Sequence, residues 1–143
     1  MKKTLMIALA LCLGFGSCKK SASNTNPTKV SITGKWRYKK THTQTFNTAG
    51  VSTLDVTFTA FTDADYLLYN ADGTGVSMSQ GSEFDFTYSY SGTTDTEYPR
   101  PASPGDKAII VTVTLSSTTM LRHSESTGAS GYRTVQDEEL TRL

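Results

Sequence analysis

Phe84-Asp85-Phe86-Thr87-Tyr88-Ser89-Tyr90 carries four aromatic rings at strict period two. Successive side chains of a strand point to opposite faces, so this spacing puts every ring on one face and Asp85, Thr87 and Ser89 on the other. The stretch reads as a half-buried β-strand. On its N-terminal side, Ala71-Asp72-Gly73-Thr74 separates the strand-like runs 65–70 and 75–78, and Asp-Gly between two such runs is a strong short hairpin signal. Further back, residues 34–46 read as a first strand, with Trp36, Tyr38, Lys40, His42, Gln44 and Phe46 on one face. Asn47-Thr48-Ala49-Gly50 supplies a turn, and residues 51–61 return with Leu54, Val56, Phe58 and Ala60 together. On the C-terminal side, residues 107–115 place Ile109, Val111, Val113 and Leu115 inward. Ser116-Ser117-Thr118 makes a turn, 120–124 starts another strand, and 132–143 closes the chain, with Glu138-Glu139-Leu140 equally able to start a helical turn. The stretch 91–106 holds all but one of the prolines and reads as a long exposed loop. Six to eight short strands in meander order give an all-β fold, a small antiparallel barrel or a strongly bent sheet. At eight strands such a barrel has room for side chains or one small ligand.

The first residues ask for a different reading. Met1-Lys2-Lys3 precedes an apolar run from Leu5 to Phe15 and then Gly16-Ser17-Cys18. A basic start, a short apolar segment and small residues before a cut describe an export signal, and the run is too short for the roughly 20 apolar residues of a membrane-spanning helix. Phe15-Gly16-Ser17-Cys18 resembles a lipobox, although Phe15 stands where Leu is usual. Residues 1–17 are therefore expected to be a lipoprotein signal, Cys18 the lipidated residue, and 18–31, rich in Ser, Asn and Thr, a flexible tether. Two or three acyl chains would hold the protein on a membrane durably, at about 0.8 kcal/mol per buried methylene.

Composition narrows the remaining 32–143 to one β domain. Of the 143 residues only Cys12 and Cys18 are cysteines, so a cut before Cys18 leaves no free thiol and no disulfide in the mature domain. The net charge falls from +1 to about −1 because Lys2 and Lys3 leave with the signal. No basic stripe remains, which disfavours nucleic acid as a partner. Thr, Ser, Tyr, Phe and Val dominate after the signal, the mix that suits pleated strands.

Three segments resemble the lipocalin-like domain of Bacteroidota lipoproteins: Ile32-Thr33-Gly34-Lys35-Trp36, then the aromatic run from Asp65 to Thr74 with its Asp-Gly-Thr turn, then Leu140-Thr141-Arg142-Leu143. The resemblance implies that Gly34 lets the chain turn into the barrel base, that Trp36 plugs the closed end, and that a late arginine lies across the tryptophan face, with Arg142 the best match and Arg133 the runner-up. In those proteins an acidic cluster after the cysteine marks export to the outer face. Here the first acidic residue is Asp55, so the resemblance implies a lipid-anchored envelope protein facing the periplasm from the outer membrane.

Chemistry-bearing residues are sparse. His42 and His123 lack the spacing of a zinc site, which needs about three protein ligands, and no metal or other cofactor is expected. Asp63, Asp65 and Asp72 flank a hairpin without the spacing of a calcium loop, and a carboxylate pair for sugar hydrolysis stays open. No Gly-x-Ser-x-Gly elbow, phosphate loop or dinucleotide fingerprint occurs, so no enzyme activity is expected. The favoured expectation is a membrane-anchored carrier of a small apolar or amphipathic ligand, lined by Tyr38, Phe58, Phe86, Tyr88, Val111 and Val113. The alternative is a solid barrel whose 91–106 loop or tyrosine-bearing surface docks an envelope protein.

Overall fold

The computed structural model describes residues 30–103 and 105–143; the expected signal, Cys18 and the tether up to residue 29 lie outside them. Nine strands follow one another: β1 (Gly34–Phe46), β2 (Ser52–Phe58), β3 (Tyr66–Tyr69), β4 (Thr74–Ser79), β5 (Ser82–Tyr90), β6 (Thr94–Arg100), β7 (Ile109–Leu115), β8 (Thr119–Thr127) and β9 (Arg133–Arg142). Their spatial order is β2-β1-β3-β4-β5-β6-β7-β8-β9, and β1 also pairs with β9. That last pairing closes β1 and β3 to β9 into an eight-stranded antiparallel barrel, with β2 as an extra strand beside β1.

The long first strand serves both parts. Gly34 to Arg37 pair with β3, whereas Thr41 to Phe46 pair with β2. Along its other edge β1 runs beside β9, with a register shift between Tyr38 and Lys40. This bulge corrects the single-face reading of the strand. Trp36 and Tyr38 are buried, but beyond the extra residue Lys40 and His42 stand opposite Glu139 and Asp137 on the outer face. Thr41 and Thr43 take the inner positions, opposite Glu138 and Gln136.

The stretch 91–106 is not one long loop. Thr94–Arg100 forms β6, paired with β5 and β7. Pro99 is tolerated because the pairing with β7 ends at Glu97 and Ile109, so Pro99 interrupts no bond on that side. The alternation Asp95, Thr96, Glu97, Tyr98 was masked by the prolines that follow it. The second strand is also shorter than 51–61, and Glu138-Glu139-Leu140 is strand, with Leu140 in the core.

The core fills one end of the barrel. Trp36, Tyr69, Leu67, Phe86, Val113, Met120 and Leu140 are each at most 1% exposed. Trp36 Nε1 donates to the Ile32 carbonyl at 2.8 Å, and the Arg142 guanidinium lies 4.2 Å from the ring centroid. Arg142 also donates to the carbonyls of Thr33 and Ser31, which fastens the incoming chain under the plug. Gly34, at φ +130°, adopts a conformation that L side chains avoid, and a Cβ there would come within 3.1 Å of Arg142 Nη1. Arg133, the runner-up for Trp36, sits instead over Phe46. Gly75 is held by close approach: a Cβ would lie 2.2 Å from the Phe86 ring and 2.8 Å from the Leu68 carbonyl oxygen.

Two substitutions test this end. Gly75→Ala should cost about 1–3 kcal/mol, since neither the ring nor the backbone oxygen has room to retreat. Arg142→Ala should cost about 2 kcal/mol from a lost cation–π contact and two lost hydrogen bonds. Urea unfolding followed by tryptophan fluorescence reads both, and an unchanged midpoint for either would contradict the packing described.

Candidate functional site

Above the packed rings the inner wall turns polar, from Asp95, which pairs with Tyr90 toward the plugged end, up to the mouth. Asp95 and Glu97 lie two residues apart on β6 and so share its inner face. Arg122 reaches the same space from β8 and Glu138 from β9. Asp95, Glu97 and Arg122 are 0%, 5% and 6% exposed. They form one chain of contacts. Arg122 Nη2 donates to Glu97 Oε1 at 2.7 Å, and Nη1 is ion-paired with Glu138 Oε2. Gln136 Nε2 donates to Glu138 Oε1 at 2.8 Å. The Tyr69 hydroxyl lies 2.9 Å from Glu97 Oε1 and 2.6 Å from Asp95 Oδ2.

Protonation follows from these contacts. Burial opposes the charge on Arg122, but Glu138 and Glu97 outweigh it and hold the guanidinium firmly charged. Burial pushes the Asp95 carboxyl up to about 7, against the lowering effect of the Tyr69 hydroxyl and with repulsion from Glu97 added. Burial likewise raises the Tyr69 hydroxyl well above its ordinary value. A tyrosine has one proton and cannot donate to two carboxylates at once. A neutral Asp95 relieves this, because its own proton then serves one of the contacts that join it to Tyr69 and Glu97.

A cavity of about 150 Å³ sits on this network. Glu97, Arg122, Glu138 and Gln136 make its floor, together with Ser124, and the Tyr38 hydroxyl is 3.1 Å from Ser77 Oγ at one side. Leu67 and Val111 add apolar wall, and Phe84 and Ile109 form the rim, 38% and 40% exposed. The volume is below the roughly 300–1,000 Å³ of a drug-sized site, so it suits a head group or a molecule of few atoms. Two larger hollows, of about 330 and 320 Å³, lie outside the barrel. The first includes Lys40, His123, Asp137 and Glu139, which stand in solvent, where ion pairs contribute little.

The expected lining residues divide among several places. Tyr38 and Val111 face the mouth cavity. Phe86 and Val113 are spent in the packed core. Tyr88 borders the hollow beside the plugged end, and its hydroxyl donates to the Asn70 carbonyl at 2.7 Å. Phe58 lies on β2, off the barrel, with its ring 4.8 Å from Phe61, which in turn stacks on Tyr38 at 5.3 Å. Gly34, Trp36 and Arg142 come together at the base. His42 and His123 fall in one row across β1, β9 and β8, on the outer face. His42 Nε2 is 2.8 Å from Asp55, and His123 Nδ1 is 2.7 Å from Asp137. No group of three or more His, Cys, Asp or Glu among the described residues is arranged to hold a metal ion. Asp63, Asp65 and Asp72 serve Arg37, Thr62 with Gln80, and Thr74 separately. The charged floor leaves no signal in the sequence: Asp95 and Glu97 fall within the stretch that reads as a loop, and nothing singles out Arg122. The inward position of Arg122 follows from Met120 two residues before it.

A carboxyl whose value is raised on folding binds its proton more tightly in the folded state. The native protein should therefore lose stability as pH rises from about 4 to about 7, and hold that loss above it. Asp95→Asn removes the titration and keeps a neutral side chain of the same size beside Tyr69. It should exceed the parent in stability at pH 8 by about 1–3 kcal/mol, with the gap closing toward pH 5, as read by urea unfolding at each pH. A gap that does not change with pH would place Asp95 in an ordinary, solvated setting.

Among protein families, no model matches the chain, and no curated protein matches it either. Among solved structures, it is similar to a lipocalin-like protein from Bacteroides uniformis, at 16% identity and a TM-score of 0.43, with 78% of this chain and 98% of that one covered. The barrel assignment rests on the strand pairing above and not on this likeness.

Proposed function

We propose that the protein is a lipocalin-like carrier that holds a small amphipathic molecule in the mouth of its barrel. The observation behind this reading is the cavity at the open end, floored by Glu97 and Arg122, both more than nine-tenths buried, and by Glu138. Removing one partner from a buried ion pair costs about 3–5 kcal/mol, and replacing a whole pair by packed apolar residues is often neutral or stabilising. A chain selected only for a stable barrel gains nothing by ending its core in Glu97, Arg122 and Glu138 below an open hollow.

The rings that fill the base restrict the site to the mouth, so the ligand sits shallowly, its polar part on the floor and its apolar part against Phe84 and Ile109. The same proposal includes the anchor: acyl chains on Cys18 hold the carrier on a membrane, on the periplasmic side of the outer membrane. It assigns no chemistry to the protein beyond binding. A second reading, docking of an envelope protein, has one observation in its favour. Beside the edge of β2 that pairs with no strand among the described residues, Leu54 and Val56 are 45% and 48% exposed.

Native mass spectrometry on the protein purified from its own envelope tests the carrier reading. A fraction of the protein should carry an added small-molecule mass, and Ser124→Trp, which fills the cavity, should abolish it. A clean mass for the parent under gentle conditions, with a protein retained through the β2 edge, would favour docking instead.

A further inference from the structure

We infer that the ligand's head group is an organic cation, a primary amine or similar ammonium, and that the mouth cavity selects it by charge; this rests on the carrier reading above. The argument starts with Arg122. An arginine in a barrel would ordinarily suggest an anionic guest, such as a carboxylate. Here both terminal nitrogens are already engaged, Nη2 by Glu97 and Nη1 by Glu138. An incoming anion would meet a guanidinium already held by two carboxylates and would be repelled by both at close range.

The acceptors are in the opposite situation. Glu97 Oε1 receives both Arg122 and Tyr69, neither of which engages Oε2, and this carboxylate borders the cavity although the residue is only 5% exposed. Gln136 spends its amide nitrogen on Glu138, which leaves its carbonyl oxygen as the free end. The Tyr38 and Ser77 hydroxyls share one hydrogen bond between them, which leaves acceptor lone pairs on both and one proton to spare. Arg122 Nε has no partner but is sealed from solvent, and the carboxylates that border the cavity outnumber the one guanidinium, so the floor is complementary to a cationic donor. Two carboxylates against one guanidinium also leave one formal negative charge beneath the cavity. A charge there, away from bulk water, is felt more strongly than on the surface. The rim adds ring faces: Phe84 is half-open at the mouth, and Phe61 stacks over Tyr38. Rings accept an apolar body and also attract a cation. A cavity of about 150 Å³ has room for an ammonium and a few carbons, with the remainder of the molecule lying on the rim.

Titration calorimetry with three probes of one shape separates the contributions: phenethylamine, 2-phenylethanol and 3-phenylpropionate. The amine should bind at least about tenfold more tightly than the alcohol, and the carboxylate most weakly. Glu97→Gln, which keeps the size and removes the charge, should reduce the amine's advantage about tenfold and leave the alcohol nearly unchanged. If that variant does not fold, Glu138→Gln makes the same comparison. Equal affinity for amine and alcohol, or preference for the carboxylate, overturns the charge selection and leaves the carrier reading standing. If none of the three binds, the cargo found by native mass spectrometry decides: a cationic cargo supports the inference, an anionic or neutral one overturns it, and an empty protein overturns both readings.

Discussion

A guanidinium inside a β-barrel is tolerable only if close counter-charges answer it. Moving such an ion out of water costs several kcal/mol even after relaxation, and only close counter-charges with good geometry return that cost. Arg122 therefore requires Glu97 and Glu138 in place. Glu97 in turn shares Tyr69, and Tyr69 ties in Asp95. These residues come from β8, β6, β9 and β3, so the network fixes four strands relative to one another. A one-residue slip of β8 would turn Arg122 outward and bring Leu121 and His123 in, stranding two carboxylates in the interior. Apolar packing alone discriminates less sharply between registers, because Val, Leu and Met exchange places at modest cost.

The bulge after Tyr38 has a comparable reach. Without it, the alternation of β1 would carry Lys40 and His42 inward above the charged floor. With it, the interior receives Thr41 and Thr43, and the two larger groups join Asp137 and Glu139 outside. One extra residue thus lets a single strand plug the base with Trp36 and then present small hydroxyl side chains toward the mouth. The packing gradient of the barrel, rings below and polar groups above, depends on it.

Much of the fold was legible in the residues. The period-two rings of β5, the Asp-Gly turn between β3 and β4, and the Ile-Val-Val-Leu alternation of β7 each combine local propensity with a buried face, and each became the expected strand. The meander order followed from short connections. What escaped were the places where charge replaces apolar residues on an inner face. Asp95 and Glu97 alternate with Thr and Tyr as a strand should, but hydropathy gives such a pattern no signal, and Pro99 and Pro101 speak for a loop. Arg122 is hidden for the same reason. The bulge left no trace either, because Lys39-Lys40 fits both alternations equally well. The site was therefore less legible than the scaffold: it is built from the residues that break the binary pattern, and only long-range pairing shows that they meet.

The chain enters the barrel at the base. Residues 31–33 run beneath Trp36, held by Arg142 and by the indole nitrogen, whereas Phe84, Ile109 and Ser124 stand at the far end. Whatever precedes residue 30 is attached to the plugged end, as a stem is attached to the foot of a cup. The opening at the rim therefore faces away from that point of attachment, and a molecule approaching it need not cross the foot.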